Sequence, residues 1–226
     1  MRPPAVLADC LIAAGPALAA DLDPQARAQL DRGRPYVDVR ADPDGESGLI
    51  RAAIDIAAPP QMVWDVVTDC DLAPKMVASL KSCRILQKDP AGAWDVREDI
   101  SRMGFLPSVR NVFRSDYDPP KSVRFHRVAG DLKVFEGEWR IEPRGAGTRV
   151  VYESRVSAPF RVPGPIARIA LRYEVPQALT ALRRECLARA RSAPREPRAP
   201  ARSAPDPARP GPPGPSPVGR GAAGRD

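Results

Sequence analysis

The chain has 226 residues, a formal net charge of +7 and 43% hydrophobic residues, a length that suits one or two domains. The basic excess is local: Arg191 to Asp226 holds ten Pro, seven Arg, seven Ala, five Gly and three acids, a net +4, which leaves +3 for everything before it. That 191–226 tail has no aromatic residue and too little apolar surface to order itself. Nucleic-acid binding is not expected, because neither stacking platforms nor a basic helix accompany the arginines. A solvated extension with weak attraction to anionic surfaces is expected instead.

The opening "MRPPAVLADCLIAAGPALAADLD" combines one Arg, a short apolar run and Ala17-Leu18-Ala19, an A-x-A site that permits cleavage before Ala20. Residues 1–19 are read as an export leader, although Asp9 and Gly15-Pro16 weaken it; an ordinary N-terminus of a cytoplasmic protein is the alternative. Residues 20–48 form an N-terminal extension. No later run approaches the roughly twenty apolar residues of a membrane span. With one His, the cysteines do not resemble a zinc set. A Cys70–Cys83 disulfide fits an exported protein, because both flank one helical turn-back. In a reducing compartment the two are separate buried thiols. Cys186 sits on an apolar helical stripe and reads as core.

Residues 23–31 read as a short helix capped by Asp23 with Pro24 in its first turn, and "PYVDVR" as a short strand. "LIRAAIDIAAP" alternates, with Ala52, Ile54 and Ile56 on one parity, and reads as a strand. Pro59 and Pro60 end it, and "QMVWDVVTD" and "LAPKMVASL" read as two short helices. Strands follow near 81–88, 93–102, 107–117, 121–129, 132–142 and 147–158. The breaks "KDPAG", "GFLP", "DPPK", "AGD" and "PRGAG" suit an antiparallel meander. "GPIARIALRYEVPQALTALRRECLARA" closes the folded part as a helix; Pro176 either kinks it or begins a second one.

This order, with "IDIAAPPQMVWDVVTDCDLAPKMVASLKSCRILQ", "VRFHRVAGDLKVFEGEWRIEP" and "GTRVVYESRVSAP", resembles the helix-grip domains of the START, polyketide-cyclase and ubiquinone-binding-protein superfamily. The resemblance covers 49–190 and includes bacterial versions with an export leader, so a periplasmic location is expected. It implies an α+β fold in which a strongly curved antiparallel sheet wraps around a long C-terminal helix, with two short helices after the first strand. It also implies a cavity between sheet and helix for a hydrophobic small molecule, with quinone or another lipid-like ligand as its class. No cofactor is required by this reading.

Taking the more apolar parity of each strand as inward, the lining comprises Trp94, Val96, Ile100, Val109, Phe113, Val123, Phe125, Phe135, Trp139, Ile141, Val150, Tyr152 and Val156. Four polar positions share these parities: Glu98, Asn111, Arg127 and Ser154. Each needs a partner, a water or a ligand head group, because an unpaired buried charge costs several kcal/mol. Three readings stay open. A Glu98–Arg127 ion pair with Asn111 between them satisfies the groups internally, a polar floor orients a ligand, and a one-residue bulge turns them to solvent. Phe105, Leu106, Phe160 and Val162 lie in connections that could form a cavity mouth or gate.

Catalysis lacks a firm signal. His126, the single histidine, opposes Phe125 in parity, and neither a Ser–His–acid set nor H-E-x-x-H is present. Non-catalytic binding or carriage is therefore expected. A cyclase, aromatase or hydrolase using Glu98 as acid–base and Tyr152 as partner is one alternative, and an accessory protein with a filled cavity is the other.

Overall fold

A computed structural model describes residues 22–42, 47–104, 106–157, 159 and 164–192, the side chains of 164–170 excepted. The leader, Phe105, Phe160, Val162 and the 193–226 stretch lie outside the described residues. Asp23 begins α1 (Pro24–Asp31): its Oδ1 accepts the Ala26 N–H at 2.7 Å, with Pro24 in the first turn, a satisfied helix start. The strands β1 (Tyr36–Ala41) and β2 (Gly48–Ile56) follow, then α2 (Pro60–Val67) and α3 (Ala73–Met76). Six further strands run without a helix between them: β3 (Leu80–Lys88), β4 (Trp94–Ser101), β5 (Val109–Asp118), β6 (Ser122–Gly130), β7 (Val134–Arg144) and β8 (Gly147–Ser157). One helix, α4 (Gly164–Ser192), closes the order and runs unbroken through Pro176.

Among the described residues, all eight strands form one sheet in the order β1-β2-β8-β7-β6-β5-β4-β3, and each neighbouring pair is antiparallel. This corrects the expected wrapping. The sheet is open, with β1 and β3 as its two edges, rather than strongly curled around the last helix. α4 packs chiefly on β1, β2, α2 and α3, at one side of the sheet. The reason lies in chain order: α2 and α3 carry the chain from β2 to the far edge, where β3 starts. The meander then returns strand by strand until β8 pairs with β2.

The two faces have separate cores. On the inner face, Ile54, Ile56, Val150 and Ile141 meet Val63, Val66 and Trp64 of α2 and Leu179, Leu182 and Cys186 of α4. Leu179 and Leu182, 2% and 3% exposed, each contribute about 1.5–3 kcal/mol by leaving water. On the outer face, Leu30 of α1 covers Ala53 and Val151, the neighbours of opposite parity.

Candidate ligand-binding face

The β4–β5 hairpin decides which side chains share a face. Its register pairs Ser101 with Val109, Asp99 with Asn111, Arg97 with Phe113 and Asp95 with Ser115, so odd-numbered residues of both strands point to one side. That side is inner: Arg97 Nη2 donates to the Thr68 carbonyl at the end of α2, at 2.8 Å, and the Tyr117 ring stands 5.6 Å from that of Trp64. The even residues point outward. Arg84 and Arg110 donate to the two carboxylate oxygens of Glu98 at 2.7 and 2.6 Å, and the Arg114 guanidinium lies 4.3 Å from the Trp94 ring.

Trp94, Val96, Glu98 and Ile100 therefore do not line the inner face, a correction to the sequence reading. Choosing the apolar parity of β4 failed because the outer arginines supply cover for Trp94 and partners for Glu98. The inner side of that strand instead carries a buried polar group. Those two arginines also hold the Glu98 carboxyl below its usual range, the opposite of what a proton-accepting role needs. The Glu98–Arg127 ion pair is absent for a second reason. Between Phe113↔Arg127 and Val112↔Ala129 the register slips by one, leaving Val128 as an extra residue. At this bulge Arg127 is exposed and donates to the Gly130 carbonyl at 2.7 Å.

The remaining aromatic residues meet. Phe113 and Phe135 have ring centroids 5.1 Å apart, Phe125 and Phe135 4.8 Å, Phe125 and Tyr152 6.1 Å, and Trp139 and Tyr152 4.4 Å. They form a continuous strip across β5, β6, β7 and β8. Gly137 makes the strip possible. A Cβ there would stand 2.8 Å from Phe125 Cζ and collide with the Glu153 carbonyl. Phe113, Phe135, Trp139 and Tyr152 remain partly exposed, although their strip lies on the side that also bears the core.

Polar groups flank this strip. Asp95, Arg97 and Tyr117 form one closed set: Arg97 Nε and Nη2 donate to the Asp95 carboxylate at 2.9 Å, and the Tyr117 hydroxyl donates to Asp95 Oδ2 at 2.6 Å. Burial pushes the Tyr117 phenol well above its usual range. This cluster ties α2 to β4 and β5 and is internally satisfied. Asp99, Asn111 and Ser154 differ. Asp99 Oδ1, Asn111 Oδ1 and Ser154 Oγ are buried without a well-formed hydrogen bond to any described residue. Burial pushes the Asp99 carboxyl up to about 6, with Arg97 pulling the other way. Dense packing also raises the Tyr152 phenol, the Ser154 hydroxyl beside it acting in the opposite sense.

Other candidates fall elsewhere. The His126 side chain is 54% exposed and faces Asp116. Leu106 is partly buried, its N–H donating to the Met103 carbonyl. Cys70 and Cys83 are joined by a disulfide with their Cα atoms 5.4 Å apart, fastening the α2–α3 connection to edge strand β3. Among the described residues no group of three or more His, Cys, Asp or Glu is arranged to hold a metal ion. Asp95, Arg97 and Asp99 were missed by parity, and Tyr117, on the parity taken as inward in β5, was left out of the lining. The alternation D-x-R-x-D in 95–99 was the available signal, since it marks the other face as deliberately polar.

The family model described as polyketide cyclase / dehydrase and lipid transport matches residues 56–183, more than half of the chain. The chain belongs to that family. No curated protein matches it. Among solved structures it is similar to a protein of Thermus thermophilus, 24% identical, covering 62% of this chain and 98% of that one with a TM-score of 0.54. The Zhui aromatase/cyclase from Streptomyces sp. R1128 is 18% identical, over 64% and 94% of the two chains, with a TM-score of 0.51. A STAR-related lipid transfer protein fragment from Xanthomonas axonopodis is 18% identical, over 68% and 93%, with a TM-score of 0.58. These likenesses concern the fold.

Proposed function

We propose that the protein binds or carries a hydrophobic small molecule, without chemical conversion, on the inner face of β4 to β8. The observation that carries this reading is the partly exposed aromatic strip Phe113–Phe125–Phe135–Tyr152–Trp139 with unsatisfied buried polar atoms at its ends. Apolar walls with a few placed polar groups are the usual make-up of a small-molecule site. Membership of a family whose description includes lipid transport supports the same reading. The ligand-binding segment is 49–190. Export to an oxidising compartment accords with the Cys70–Cys83 disulfide.

The test is extraction. Protein purified from its native host without detergent should release an apolar molecule, identified by mass spectrometry, in near-stoichiometric amount. Protein that is empty, and that also fails to take up small aromatic probes such as 2-naphthol, would overturn the reading.

A second reading is favoured by one observation. Asp99, with its carboxyl pushed up to about 6 by burial on the inner face, has the character of a general base near neutral pH. Cyclase-type proton abstraction would then run through Asp99 and not Glu98. Turnover abolished in Asp99→Asn and retained in Glu98→Gln would support it, and turnover indifferent to both would end it.

A further inference from the structure

The unsatisfied atoms at the Asp99–Asn111 corner of the inner face are of one chemical kind, and this restricts what can sit there. Asn111 is 6% exposed, and its Oδ1 has no partner. Asp99, opposite it in the β4–β5 register, also presents an unpartnered buried oxygen. Both are acceptors; a carboxylate accepts only, and an amide oxygen accepts only. The nearby cations are engaged elsewhere: Arg97 through Nε and Nη2 with Asp95 and Thr68, and Arg127 with the Gly130 carbonyl. Gly130 brings the β6 backbone against this corner. Its φ is 98°, and a Cβ would lie 3.1 Å from Asn111 Cα and collide with the Arg110 carbonyl, so the backbone is packed tightly behind Asn111. Phe113, next on the inner side of β5, begins the aromatic strip. At the far side of the strip the buried Ser154 Oγ, beside the Tyr152 hydroxyl but without a well-formed hydrogen bond, stands on β8. It lies three strands away from Asn111, about 14 Å across the sheet, and by register level with Ser115, four residues further along β5.

From this geometry we infer that the preferred ligand is a flat apolar molecule whose polar end donates a hydrogen bond, a phenol or alcohol, with its single O–H shared as a three-centre bond between the Asp99 and Asn111 oxygens and its ring or chain along Phe113, Phe125 and Phe135. The inference rests on the binding reading above and deepens it. A molecule whose oxygens only accept, such as a quinone, leaves both side chains unpaired. Its buried carbonyl is added to two acceptors already lacking donors, and sites built around polar groups reject ligands that lack the matching atom.

The experiment compares 2-naphthol with 2-methoxynaphthalene, nearly equal in shape but differing in the O–H, by titration calorimetry on the full chain. The wild type should bind 2-naphthol at least about tenfold more tightly, the discrimination expected for a hydrogen bond to a charged acceptor. The near-isosteric Asp99→Asn and the separate Asn111→Leu should each shrink that gap below about threefold by the same reasoning. Equal affinities in the wild type would overturn the inference while leaving binding intact, and would mean that the Asn111 amide turns to pair with Asp99 itself. A gap kept in both variants would overturn the assignment to these two residues. Absence of binding by either probe would overturn the underlying binding reading as well.

Discussion

Arg97 Nη2 donates to the carbonyl of Thr68 at 2.8 Å, so a side chain of β4 holds the end of α2 against the sheet. The same guanidinium carries Asp95, which is 3% exposed. Arg97→Met would leave that carboxylate buried without a counter-charge, the Tyr117 hydroxyl its remaining partner, a loss of up to about 3–5 kcal/mol. Urea unfolding of Arg97→Met should show that loss, with part of it recovered in the Asp95→Asn/Arg97→Met double variant. A single variant as stable as wild type would show that the cluster does not tie helix to sheet.

Asp99 gives a pH signature. Its carboxyl stands at about 6 in the fold against 3.8 for the unperturbed group. Folding therefore favours the protonated form. The contribution is fully favourable below pH 3.8, is lost as pH rises through about 6, and stays lost above it. A shift of this size corresponds to an upper bound of about 3 kcal/mol. Asp99→Asn should accordingly stabilise the protein above pH 6 and leave it unchanged near pH 3, in denaturant titrations run across that range. A stability difference that does not vary with pH would contradict the burial of this carboxyl.

At Gly137 the aromatic strip depends on a missing side chain. Gly137→Ala should destabilise by about 1–3 kcal/mol, as overpacking does, because the new Cβ meets Phe125 and the Glu153 carbonyl. Thermal unfolding would register it. An unchanged midpoint would mean that the Phe125 ring does not lie across β7.

The Cys70–Cys83 crosslink closes a short loop, with a sequence separation of 13. Loop-closure entropy for that length is worth about 3 kcal/mol. Cys70→Ser/Cys83→Ser should lose stability of that order, and reductant should lower the wild-type midpoint to the variant's value while leaving the variant unmoved.

The elements were legible because their punctuation was strong. Asp23-Pro24 marked the start of α1, Pro59-Pro60 that of α2, and the Gly- and Pro-containing breaks separated the strands of the meander. What was hidden is non-local. The face of β4 depends on its register with β5, and the connection of residues 102–108 leaves that register open. A one-residue slip inverts every side chain. Glu98 and Asn111 were placed together on parity alone, yet Glu98 pairs across with Val112 and Asn111 with Asp99. The sheet's open outline was equally invisible, since nothing in a strand's own pattern says whether its edge finds a partner.

That inversion has its own consequence. Glu98 faces outward between Arg84 and Arg110, so Glu98→Gln should change the affinity for 2-naphthol by less than about twofold, within the range expected for a residue that makes no contact with the ligand. A tenfold loss would place the site on the other face of the sheet.

The most direct measurement is photolabelling with an aryl diazirine followed by peptide mapping. Binding along the inner strip predicts crosslinks on the peptides that carry Phe113, Phe135 and Tyr152, competed away by 2-naphthol. Crosslinks confined to the exposed Ile85 and Leu86 of edge strand β3, or labelling that 2-naphthol does not compete, would contradict it.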